Sequence, residues 1–127
     1  MALSILKVML RAHERIAIIG GPRTGKTTLS HYVDDRPVVH ADDLIKLGWS
    51  EASASLSKMV NDIRGPVVVE GVAVPRALRK GMRVDAVLWL SKVHHPQSSG
   101  QASMTKAVQT VFDEWAADHR DVPVYRA

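Results

Sequence analysis

Eight consecutive residues, Gly20-Gly21-Pro22-Arg23-Thr24-Gly25-Lys26-Thr27, place glycine, lysine and a hydroxyl at the spacing G-x-x-x-x-G-K-[ST]. Each fixed position has a physical task. The glycines let the chain turn tightly, so that successive backbone N–H groups point inward at an anion. The lysine reaches the outer phosphates of a polyphosphate, and the hydroxyl after it ligates Mg²⁺. The whole run, with Thr28 beside it, is therefore the candidate seat of a nucleoside triphosphate. The apolar stretch Ile16-Ala17-Ile18-Ile19 before it and a helical pattern after it supply the strand–loop–helix context that this chemistry needs.

Two acidic positions extend the reading. Asp42 follows Val38-Val39-His40-Ala41, and Glu70 follows Val67-Val68-Val69, so each carboxylate closes a short apolar run. One carboxylate near a transferring phosphoryl group can orient an acceptor hydroxyl and take its proton, while another holds Mg²⁺. Asp42 is the candidate base; Thr27 and Glu70 are the candidate metal ligands. A cap or solvated turn competes as the role of Asp42-Asp43. A glutamate ending a buried strand is costlier to explain without a cation. Asp43, Trp49, Arg76 and Arg79 are the candidate acceptor contacts. Trp49 offers a face for stacking a base, and the basic cluster Arg76, Arg79, Lys80 and Arg83 offers a grip on a phosphate or a DNA backbone. Core packing for Trp49 and a solvated helix face for the cluster are the competing roles. His94-His95 has no third ligand at usable spacing and reads as solvated.

The elements that must position these groups alternate. An N-terminal helix carries Leu3, Leu6 and Leu10 at helical spacing, and a strand spans Arg15–Gly20. A helix follows from about 24 to 33, then a turn at Asp34-Asp35-Arg36-Pro37 and a strand over 37–41. A helix capped by Ser50 buries Leu56, Met59, Val60 and Ile63, and Gly65-Pro66 ends it. Residues 67–69 form a buried strand closing on Glu70-Gly71, and Pro75 opens a short basic helix ended by Gly81. A fourth strand covers 84–90, a polar loop 92–100, and an amphipathic helix 102–119 with Met104, Val108, Val111 and Trp115 on one face. Residues 122–125 suit a short fifth strand. Alternation of this kind predicts a parallel sheet with right-handed crossovers and ligands at the carboxyl ends of the strands.

Bulk composition sets outer limits. With 127 residues, the chain reads as one domain over 1–127, near the lower limit for a three-layer α/β fold. The absence of cysteine excludes disulfides, thiolate metal sites and cysteine catalysis. The stretch 3–10 is broken by Lys7 and too short to span a bilayer, which predicts a cytoplasmic protein with no membrane partner. A net charge of +4 favours phosphate-bearing partners and permits DNA without indicating it.

Taken together, the loop at 20–27, His40-Ala41-Asp42-Asp43-Leu44 and Val67-Val68-Val69-Glu70-Gly71 resemble the small P-loop kinases. That group includes the uridine/pantothenate-kinase type, the nucleotide kinases and the 5′-polynucleotide kinases. The resemblance covers residues 15–91. It implies a three-layer α/β P-loop NTPase domain with a parallel sheet of four or five strands, in the order 2-3-1-4 with a possible fifth beyond. It also implies ATP and Mg²⁺ as cofactors, Lys26 and Thr27 as phosphate and metal ligands, Asp42 as catalytic base and Glu70 as the Walker-B-like acid. Two departures stand out. The family's lid after the fourth strand carries arginine, whereas Lys92-Val93-His94-His95-Pro96-Gln97-Ser98-Ser99-Gly100-Gln101 has none. Lys92, His94, Lys106 and Arg120 are the cations on offer instead. The family's adenine-contacting loop follows the fifth strand and has no counterpart in these residues, so ATP against GTP stays open.

The expected function is ATP- and Mg²⁺-dependent phosphotransfer to a nucleoside, nucleotide or nucleic-acid acceptor. Two alternatives accompany it: a DNA kinase acting on a 5′ end or a modified base, and a nucleotide-binding module that hydrolyses slowly or not at all. Residues 92–101 are expected to act as a mobile lid.

Overall fold

Strands without polar alternation must be covered on both faces, and residues 16–19 and 67–69 have none. The computed structural model of the chain describes residues 1–127, apart from the side chains of residues 45–47. Its elements run α1 (Ala2–Ala12), β1 (Arg15–Gly20), α2 (Lys26–Ser30), β2 (Val38–His40), a 3-10 segment (Ala41–Leu47), α3 (Trp49–Asp62), β3 (Val67–Glu70), α4 (Val74–Arg79), β4 (Ala86–Leu90), α5 (Ser99–Ala117) and β5 (Val124–Arg126). The strands form one parallel sheet in the order β2-β3-β1-β4-β5. This is the expected three-layer α/β architecture, with the fifth strand present and paired to β4 from Val87↔Val124 to Trp89↔Arg126.

Side-chain alternation divides the core in two. Ile16 and Ile18 point to one face, where Leu6 and Met9 of α1 and Leu29 of α2 cover them. Ala17 and Ile19 point to the other, under Leu56 and Val60 of α3, Ala77 and Leu78 of α4, and Val108, Phe112 and Trp115 of α5. Trp89 stacks on Phe112, and Phe112 on Trp115, so both of those tryptophans are core residues. Among the described residues, no helix is long and apolar enough to cross a membrane.

Four local expectations shift. The helix after the loop ends at Ser30 instead of near residue 33, because the Ser30 hydroxyl donates to the Thr27 carbonyl and the Tyr32 and Val33 amides close i→i−3 turns. The third helix starts from Gly48 instead of Ser50, with no side-chain cap. Met59 lies 42% exposed on that helix's outer edge, while Ala52 takes the buried place. The fifth helix begins at Ser99, because Ser98 and Gln101 form a reciprocal capping box inside what reads as a polar loop.

Two arginines brace helix ends against the strands. Arg15 donates to the Val60, Ile63 and Gly65 carbonyls at 2.7, 2.8 and 3.1 Å, closing the end of α3. Arg36 donates to Leu10, His13 and Glu14 carbonyls at 2.7, 2.7 and 2.8 Å, closing the end of α1, and its side chain is only 6% exposed. Removing such a donor leaves carbonyls that a helix end cannot satisfy internally. Arg36→Met is therefore expected to lower stability by about 2 kcal/mol. Urea unfolding of the two proteins measures this, and an unchanged midpoint would mean that water serves those carbonyls equally well.

Candidate functional site

The site forms where the chain leaves β1. Arg23 and Gly25 adopt left-handed backbone conformations, with φ of 64° and 86°, and the chain reverses between them into α2. For Arg23 this conformation costs on the order of 1 kcal/mol, which the surrounding contacts must offset. The Lys26 side chain folds back over the turn and is 6% exposed. Its Nζ donates to the Gly21 carbonyl at 2.7 Å, and the Thr24 hydroxyl donates to the same oxygen at 2.8 Å. An ammonium has three protons, so two remain for an anion in the loop. Burial pushes the Lys26 pKa below its usual value, while Asp42 and Glu70 pull it back up. With α2 only five residues long, the helix dipole adds little. Lys26 therefore carries the positive field at the cavity's edge.

The acids arrive from the two neighbouring strands. Glu70, at the end of β3, is wholly buried. Its Oε1 lies 2.9 Å from His40 Nδ1, and the Thr27 hydroxyl stands 3.4 and 3.5 Å from its two oxygens. Hydroxyl and carboxylate oxygens are the hard donors that Mg²⁺ prefers, and Mg²⁺ completes its shell with water and substrate phosphates. The donor set therefore suits that ion. It offers no all-protein cage, since no group of three or more His, Asp or Glu converges among the described residues.

Asp42 lies at the start of the 3-10 segment, and its Oδ1 accepts a hydrogen bond from the Val72 amide at 3.2 Å. Gly71 makes that contact possible. It has φ of 136°, and a Cβ there would stand 2.7 Å from Ala41 Cβ and 2.8 Å from Asp42 Oδ1. With one oxygen held, the other Asp42 oxygen is available to a ligand.

Lys26, Thr27, Thr28 and Asp42 all line one cavity of about 1230 Å³, together with Trp49. Pro22, Arg23, Thr24 and Gly25 line it as well. Gly20 closes β1 and Gly21 follows it, neither of them lining the cavity, and Glu70 touches the site through Thr27. The remaining acceptor candidates are placed differently. Arg76 lies 4.4 Å over the Trp49 ring and lines only a small side cavity behind it. Arg79 lies outside the cavity and pairs loosely with Glu114 at 3.7 Å. Asp43 is exposed and does not line the cavity.

Residues 92–101, expected to act as a mobile lid, make hydrogen bonds to the loop at 20–27. His94 N donates to the Arg23 carbonyl at 2.9 Å, and Gln97 Nε2 donates to the Pro22 carbonyl at 2.7 Å and to Thr105 Oγ1 at 3.0 Å. Arg23 Nε reaches Gln101 Oε1 at 3.3 Å. Thr105 of α5 occupies the space a Cβ on Gly21 would need, so only glycine allows that approach. Of the cations offered in place of a lid arginine, Lys92 and His94 line the cavity, whereas Lys106 and Arg120 do not. Arg23, within the loop itself, lines it as well.

Several participants carry no motif. His40 is legible only after strand order is known, because parallel pairing sets it opposite Glu70 on one face. Gln97 and Thr105 act through folding-back of α5 and leave no local signal. No protein-family model matches the chain, and no curated protein matches it in sequence.

Burial of Lys26 has a consequence for stability. Its folded pKa lies below 10.5, so between that lowered value and 10.5 the unfolded chain binds more protons. Stability then rises with pH across the window, and the desolvation cost is borne in full below it. Lys26→Met should remove that alkaline gain. Urea midpoints of both proteins from pH 8 to 10.5 read the difference, and parallel curves would contradict it.

Proposed function

We propose that this protein is an ATP- and Mg²⁺-dependent phosphotransferase, acting on a hydroxyl or phosphate of a small nucleoside-like or nucleotide acceptor. The observation that carries the reading is the meeting of Lys26, Thr27, Glu70 and Asp42 at the carboxyl ends of three adjacent parallel strands. Residues 20–27 hold the phosphates through amides and the two free Lys26 protons. Thr27 and Glu70 would hold Mg²⁺, which would supply charge neutralisation at the outer phosphates. The uncommitted Asp42 oxygen orients the acceptor and takes its proton. As the acceptor oxygen bonds to the γ-phosphorus, the bond to the bridging oxygen breaks and the diphosphate leaves with that electron pair. Arg23, which lines the cavity from within the loop, is the cation on offer in place of a lid arginine. Trp49, with Arg76 stacked behind it, offers the acceptor a flat wall beside Asp42. ATP and Mg²⁺ make the cytoplasm its natural setting.

Stitching of residues 92–98 to the loop favours one other reading, a nucleotide-binding module with slow hydrolysis, because closure over the phosphates would have to break those bonds. A nucleic-acid acceptor draws little from the basic helix, whose Arg76 and Arg79 are engaged within the fold. A screen of nucleosides, nucleotides and oligonucleotides with γ-labelled ATP separates these readings. Label on an added acceptor supports the kinase, and binding with trace hydrolysis supports the module. On a confirmed acceptor, Asp42→Asn should cut turnover by about 10²–10⁴ with nucleotide affinity nearly unchanged, since asparagine can still accept from Val72 N–H. Full activity would reduce Asp42 to a turn-forming residue. Glu70→Gln should instead raise the Mg²⁺ concentration needed for half-maximal rate, and an unshifted Mg²⁺ titration would remove Glu70 from the metal site.

A further inference from the structure

The same cavity is also lined by Ala2 and Leu3 in the first turn of α1, Leu29 of α2, Tyr32 just after it, and Leu90 at the end of β4, none of them on the elements that carry Asp42 and Glu70. In the proposed reading Thr27, Glu70 and Asp42 mark the reacting end of a bound triphosphate, and these α1 and α2 residues are the wall left for the rest of the nucleotide. Tyr32 is 60% exposed, and its ring has no aromatic partner and its hydroxyl no hydrogen bond among the described residues. Leu29 is nearly buried and Leu3 half-buried, giving the crevice an apolar floor. Among the cavity-lining residues of α1 and of residues 28–32, the polar side chains are Thr28 and Tyr32. Both are rotating hydroxyls. Neither forms the fixed, paired donor and acceptor that distinguish one base edge from another.

We propose that this crevice between α1 and α2 seats the nucleobase, with Tyr32 as its stacking platform, and that it binds by ring contact with little discrimination between bases. The inference rests on the phosphate-loop reading. It makes α1 part of the nucleotide site as well as a cover for the sheet. Base stacking on an aromatic side chain is strong enough to change affinity by about tenfold or more, and every base offers the same kind of face.

Calorimetric titration of the whole chain with Mg·ATP, Mg·GTP and Mg·tripolyphosphate tests this in wild type, Tyr32→Ala and Tyr32→Phe. Because Tyr32 is exposed, its truncation leaves the core untouched. Wild type should bind ATP about tenfold or more tighter than tripolyphosphate, with ATP and GTP within about fivefold of each other. Tyr32→Ala should lose that margin for both nucleotides and keep its tripolyphosphate affinity, and Tyr32→Phe should restore it. Unchanged ATP affinity in Tyr32→Ala overturns the platform. Tripolyphosphate binding as tightly as ATP overturns the base seat while leaving the phosphate loop standing. A preference for one purine above about 100-fold overturns the stacking mode. Failure of all three ligands to bind wild type removes the phosphate-loop reading, and this inference with it.

Discussion

A lysine and a glutamate are both buried at the carboxyl edge of the sheet, and their upkeep constrains everything around them. Lys26 is 6% exposed and Glu70 is fully buried, at the ends of neighbouring strands or immediately beyond. A buried ion needs compensation several times larger than a surface pair supplies. Lys26 finds it in the Gly21 carbonyl and the field of two carboxylates, and Glu70 in His40 and Thr27. Replacing such a pair with apolar residues is often neutral or stabilising in proteins generally. The arrangement therefore makes more sense as preparation for an anion and a cation than as a device for stability.

The surroundings follow from that requirement. β3 must lie beside β1 to bring Glu70 to Thr27, and β2 beside β3 to bring His40 and Asp42 within reach. Gly71 permits the close approach of those two strand ends, and Gly21 admits Thr105 so that α5 can press on the loop. The loop's strained residue, Arg23, is held by the segment after β4 through its carbonyl and its side chain. A conformation that favours glycine is thus maintained by contacts that come from a distant part of the chain.

Legibility in the sequence tracked the range of the interaction. The loop, the closing acids and the parallel alternation are local or periodic, and they predict a parallel sheet of four or five strands and the places of Lys26, Thr27, Asp42 and Glu70. Boundaries set by competition between hydrogen bonds were misplaced: Ser30 shortens α2, and the box of Ser98 and Gln101 begins α5 early. Arg76 and Arg79 read as a free basic cluster, yet Trp49 and Glu114 engage them from other elements. His40, Gln97, Tyr32 and the first turn of α1 enter the cavity's surroundings only through tertiary placement. A polar loop of residues 92–101 looks mobile because nothing within it reveals that Pro22 and Arg23 accept its hydrogen bonds.

All of this depends on residues 20–27 binding a nucleoside triphosphate. Calorimetric titration of Mg·ATP into wild type and Lys26→Ala tests that most directly, with circular dichroism verifying that both are folded. Wild type should bind, and loss of a buried charge contact to phosphate should weaken the variant by about 100-fold or more. Equal affinity in the two proteins, or no binding by either, would contradict the assignment of the loop.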